Sequence, residues 1–113
     1  MMSPSESIHL LKQMLSIPSL SRNEESKASF LQAYLQQMGC EKVNRVGNNI
    51  YTYAYEYDAK KPTILLNSHI DTVKPNENWT YAPFQATQVG DSIYGLGAND
   101  AHASVVSLIA AFD

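Results

Sequence analysis

A single cysteine, Cys40, stands among the 113 residues, so no disulfide can form within the chain. A reducing cytoplasm is the default location that follows from this. Basic residues are also few: eight Lys and Arg against eleven Asp and Glu, for a formal charge of −3. That balance excludes the basic footprint of a nucleic-acid-binding module. Long apolar runs are missing, and the N-terminus lacks the charged-then-apolar pattern of a signal peptide, so no membrane partner is expected. Charged residues make up 17% of the chain and hydrophobic ones 44%, which is a globular composition. With so little charge to cover it, much of the surface is expected to lie against other protein. Internal repeats and low-complexity segments are absent.

What is present reads as alternating helical and extended segments. Ser3, Pro4 and Glu6 supply an N-cap, a first-turn proline and an early acid for a helix. Ile8, Leu11 and Leu15 follow at helical spacing with Leu10 and Met14 beside them, and Pro18 ends the pattern. His9 within it reads as a surface residue. Ser21 and Glu24 have the spacing of a capping box for a second helix. Its buried stripe would be Ala28, Leu31, Leu35 and Met38, flanked by Phe30 and Tyr34, with Gly39 as the stop. Gly47, Asn48 and Asn49 are turn residues, and Ile50 to Tyr55 reads as a strand with Tyr51, Tyr53, Tyr55 and Tyr57 on one face. Thr63 to Leu66 is a short apolar run of the kind buried on both faces of a sheet. Phe84–Val89 and Ser92–Tyr94 flank a Gly90–Asp91 turn, a hairpin signal, and a helical pattern begins near Ala101.

Polar chemistry starts where the apolar run ends, at His69 and Asp71. In open α/β sheets, loops converge at the carboxyl ends of strands, and ligands bind there. Residues two apart on a strand point to the same side. Imidazole is a good zinc ligand, and a carboxylate on its other nitrogen fixes the tautomer and raises its basicity. Taken alone, the pair is more often structural. Asp100 follows the glycine-rich stretch Gly95-Leu96-Gly97 at the start of a helix. It reads equally as a helix cap or as a carboxylate bridging two cations, which such sites hold roughly 3.5–4 Å apart. Spacing does not choose between these.

Taken jointly, the run from Leu65 through His69 and Asp71 to Val73, then Trp79, Pro83-Phe84 and Ile93 to Asp100, resembles the zinc aminoacylase and carboxypeptidase family. Acetylornithine deacetylase and succinyl-diaminopimelate desuccinylase belong to that family, and the bacterial acetylornithine deacetylase-like members look closest. The resemblance extends over essentially the whole chain. It implies that His69 ligates one zinc, that Asp100 bridges two, and that Asp71, the catalytic assignment here, orients His69. It also implies a candidate cis peptide bond between Asp100 and Ala101. Two positions depart from the pattern: many members have Arg where Leu96 stands, and Met-Lys-Gly where Ala101-His102-Ala103 stands. His102 is then read as a surface residue at the helix start or a minor neighbour of the metals. The family's catalytic glutamate and remaining ligands lie downstream of the bridging aspartate.

The expected fold class is therefore α/β. Residues 1–113 would form the N-terminal part of a di-zinc exopeptidase-like catalytic domain, with a mixed sheet flanked by helices and the Thr63–Leu66 strand central. The final helix would pack back on that sheet. The final helical pattern stops at Asp113 without a capping residue, so the chain is expected to be part of something longer and inactive alone. The expected cofactors are two divalent metal ions, zinc first, with cobalt or manganese as alternatives. The expected activity is hydrolysis of the amide bond of an N-acyl amino acid, N-acetylornithine first, by a cytoplasmic homodimer. A zinc carboxypeptidase or dipeptidase and a non-catalytic relative are the alternatives.

Overall fold

A computed structural model describes all residues, 1–113. Helix α1 spans Pro4–Leu15 and begins with the expected cap: the Ser3 side chain accepts from the Glu6 amide while the Glu6 carboxylate accepts from the Ser3 amide. Helix α2 spans Glu25–Gln37 and stops before Gly39, whose φ of 100° suits only glycine without strain. Strands β1 (Val43–Val46) and β2 (Asn49–Thr52) form an antiparallel hairpin, as do β3 (Thr87–Val89) and β4 (Ser92–Tyr94). A wide turn, Ala98–His102, then leads into α3, Ala103–Phe112.

The core gathers where α1, α2 and α3 meet. Leu10 and Met14 of α1 pack with Leu31 of α2 and with Val105 and Val106 of α3. Only 13 of 113 residues are buried, so the helices rather than the sheet carry the packing. Gly95 lets the end of β4 approach this core, because a Cβ there would stand 3.0 Å from the Leu15 side chain.

The α/β class holds, but the sheet differs from the expectation. There are two separate two-stranded antiparallel sheets and no mixed one. Residues 63–66 join no ladder, and Ile64 and Leu65 are 86% and 81% exposed. A strand buried on both faces needs strand neighbours and covering helices, and nothing else in this chain supplies them. Only the continuation of the run is engaged, through a parallel bridge between Leu20 and Thr72. Accordingly α3 packs on α1 rather than on a sheet. The tyrosine face is shorter than expected because β2 ends at Thr52: Tyr51, Tyr53 and Tyr57 form a chain of ring contacts, while Tyr55 is 90% exposed. β1 carried too little apolar alternation to be read from sequence.

Candidate functional site

Two segments build the site. The first is residues 69–72, the extension of the apolar run, clamped by the loop between α1 and α2. Ser19 Oγ donates to the Ile70 carbonyl at 2.6 Å, the Thr72 amide donates to the Ser19 carbonyl at 2.9 Å, and the Ser21 amide donates to the Thr72 carbonyl at 3.0 Å. Ser21 Oγ then donates to Asp71 Oδ2 at 2.5 Å. This overturns the capping-box reading of Ser21. Helix α2 starts at Glu25 with Glu24 as its cap and no side-chain cap bond. The Glu24 carboxylate instead accepts from the Arg22 amide and from Asn48 Nδ2.

The second segment is the turn Gly97–His102. Gly97 takes φ of 82°, which favours glycine, and the peptide bond between Asp100 and Ala101 is cis. Asp100 (φ −119°, ψ 91°) and Ala101 (φ −133°, ψ 30°) leave helical geometry, so Asp100 projects from the turn instead of capping the helix behind it. Crowding at Gly97 is severe: a Cβ there would stand 2.8 Å from Thr72 Cγ2 and 2.9 Å from His102 Cε1 and Nδ1. The glycine thus lets the two segments close on each other.

Between them lie the three singled-out residues. His69 Nδ1 is 3.1 Å from Asp71 Oδ1, and His69 Nε2 is 3.1 Å from Asp100 Oδ1. A neutral ring with its proton on Nδ1 donates to Asp71 and turns the Nε2 lone pair toward Asp100; a protonated ring donates to both carboxylates. The Ser21 hydroxyl, with a smaller contribution from His69, holds the Asp71 carboxyl below the usual carboxylate range. A charged Asp71 is therefore the stable partner for the ring. All three side chains reach solvent, Asp100 most of all at 88% exposure. They border an open cavity of about 540 Å³ that Trp79, Ile93 and Tyr94 line on its apolar side.

The three side chains are of types that can ligate a divalent cation. An imidazole nitrogen oriented by a carboxylate and facing a second carboxylate is the chemistry that first-row divalent cations take. No group of three or more His, Cys, Asp or Glu side chains is arranged to hold a metal ion by itself, so these residues do not close a centre alone.

His102 departs most from its expected place. It is fully buried rather than on the surface, and Lys27 Nζ of α2 meets its Nε2. Burial, with the Lys27 charge adding to it, pushes the His102 pKa down to about 4, so the ring is neutral and accepts from the ammonium. Burial likewise pushes Lys27 down to about 8. Nothing local in the sequence marks Lys27; its place on the apolar face beside Ala28 and Leu31 was the available signal.

Residues 65–113 match the model of a family described as peptidase family M20/M25/M40. The chain is similar to succinyl-diaminopimelate desuccinylases from Blochmanniella floridana (34% identical, over 92% of this chain and 29% of the relative) and Orientia tsutsugamushi strain Ikeda (33%, over 92% and 28%). A third from Psychromonas ingrahamii is 30% identical over 99% of this chain and 30% of the relative. The chain spans less than a third of the length of these relatives. They carry the desuccinylase name, so the acetylornithine expectation and its place in arginine biosynthesis find no support among them. No helix is long and apolar enough to cross a membrane.

Proposed function

We propose that residues 1–113 form the N-terminal portion of the catalytic domain of a metal-dependent amidohydrolase, and that His69 and Asp100 supply part of a two-metal centre, zinc first. The observation carrying this reading is the His69 ring held between Asp71 and Asp100 at 3.1 Å on either side. When bound, the cations would polarise an amide carbonyl and lower the pKa of a water. Asp71 keeps the His69 tautomer fixed with Nε2 directed at the centre, and Ser21 keeps Asp71 charged and in place. Asp100, exposed on its turn, would share its carboxylate between the two cations. The Trp79–Tyr94 side of the cavity offers an apolar wall to a substrate.

The substrate class is an N-acylated amino acid, hydrolysed to the free amino acid and a carboxylate. N-succinyl amino acids come first because of the names of the relatives, and N-acetylornithine is kept as the alternative acyl substrate. The peptidase description of the family model favours small peptides as a second reading. The rest of the catalytic domain, a homodimer and a cytoplasmic location complete the proposal. The test is release of succinate or acetate by the full-length protein, with and without a chelator, beside Asp100→Asn. Release that is lost on chelation, restored by zinc and lost in Asp100→Asn supports the reading. Unchanged turnover in Asp100→Asn overturns the role given to that carboxylate.

A further inference from the structure

The buried contact between α2 and the Asp100 turn takes no part in the roles assigned above. Lys27 is 1% exposed and His102 0%, although lysine is among the residues least often fully buried. Lys27 Nζ reaches His102 Nε2 across 75 residues of sequence. His102 fills the inside of the turn: its amide donates to the Gly97 carbonyl at 3.0 Å, and its ring edge lies against Gly97. Thr72 presses on the same glycine from the other segment. His102 Nδ1 and Thr72 Oγ1 are both buried without a partner. An apolar filler would have left one orphan fewer and no ammonium to desolvate, so packing alone does not account for this pair.

The ring is wedged behind both halves of the site. Thr72 follows Asp71 directly, and Asp100 lies between Gly97 and His102. Backbone bonds close the turn at its ends, from the His102 amide to the Gly97 carbonyl and from the Ala103 amide to the Ala98 carbonyl, so the seating of His102 helps fix where the non-helical Asp100 between them points. The ring orientation of His102 therefore matters, and the only side-chain group that sets it is Lys27.

We propose that Lys27 is a positioning residue: by holding His102 Nε2 it locks the imidazole inside the turn and sets Asp100 against His69 for a divalent cation. The inference rests on the reading of His69 and Asp100 as metal donors. Groups that orient metal ligands typically change affinity by about 10–100-fold when removed. Lys27→Met keeps the length and apolar stem of the side chain and removes only the ammonium. In the full-length protein, zinc affinity is measured by chelator competition, and the thermal midpoint is measured on the metal-free form. Lys27→Met is expected to weaken zinc by about 10–100-fold while the metal-free midpoint holds or rises, and Lys27→Arg is expected to recover part of the affinity. His102→Phe, which keeps the ring and removes the acceptor, is expected to weaken zinc similarly and serves if Lys27→Met does not fold. Wild-type zinc affinity in either variant overturns the positioning role. His69→Ala, run in parallel, separates the two ideas: if it leaves zinc binding intact, the metal reading itself fails.

Discussion

Replacing Gly97 by alanine adds one methyl group to the most crowded backbone position of the site. Two costs are readable from the geometry. A non-glycine residue at φ of 82° adopts a left-handed conformation that costs roughly 1–2 kcal/mol. The new Cβ would also meet Thr72 Cγ2 at 2.8 Å and the His102 ring at 2.9 Å, both on buried residues with little room to yield. Overpacking of this kind costs roughly 1–3 kcal/mol. The sum is about 2–5 kcal/mol, a large share of the roughly 5–15 kcal/mol that keeps a domain folded. Gly47→Ala supplies the control, because Gly47 has φ of 62° and nothing within 4 Å of a Cβ, so only the backbone cost applies. Urea unfolding of the two variants beside the parent, at constant m-value, measures both. Gly97→Ala is expected to exceed Gly47→Ala by about 1–3 kcal/mol. Equal losses would refute the close approach of Thr72, Gly97 and His102 on which the site's construction rests.

Further outcomes can be checked on the same footing. Ser21→Ala removes the hydroxyl that donates to Asp71 and is expected to cost about 1–2 kcal/mol in urea unfolding. Helicity by circular dichroism should stay constant in that variant, because Ser21 does not cap α2; a fall in helicity would restore the capping-box reading. Ser3→Ala breaks a capping box that is present and is expected to cost about 1 kcal/mol. Lys27 is lowered by burial from 10.5 to about 8, so between those values the unfolded chain binds more protons than the folded one. Stability is therefore expected to rise as pH climbs through that window, by up to about 1.4 kcal/mol per pH unit. Lys27→Met should flatten that rise relative to the parent; an unchanged slope would show that Lys27 is not the group responsible.

The parts of the fold that were legible in the sequence are those whose signal is local. The α1 cap and the turns at Gly47 and Gly90 depend on residues within one turn of each other, and they formed as read; the helical stripes formed in part, with Leu10, Met14, Leu15, Ala28 and Leu31 buried but Ile8 exposed and Lys27 buried instead. The Thr63–Leu66 run failed as a strand for the opposite reason. Its apolar character describes a burial that other segments must provide, and here Ile64 and Leu65 face outward. Continuous apolar runs state a need for partners without naming them. Ser21 was misassigned because a serine three residues before a glutamate satisfies a local rule, while its actual partner lies 50 residues away.

The candidate site divides along the same line. His69, Asp71 and Asp100, singled out in the sequence as imidazole and carboxylates, are brought together by the fold. The residues that hold them were not singled out for that role: Ser19, Ser21, Gly97, His102 and Lys27 act through contacts between segments that are distant in sequence. That division has a physical basis. A ligand must be one of a few side chains, whereas a support need only place a donor, a ring or an absent Cβ at a given point in space. Many residues can meet that second requirement, so sequence type says little about it. His102 shows the consequence, since a histidine two residues after a carboxylate invites a surface or metal-side reading. Its burial against Gly97 and Lys27 puts it behind the turn instead, where it acts on the carboxylate's position rather than on the cavity.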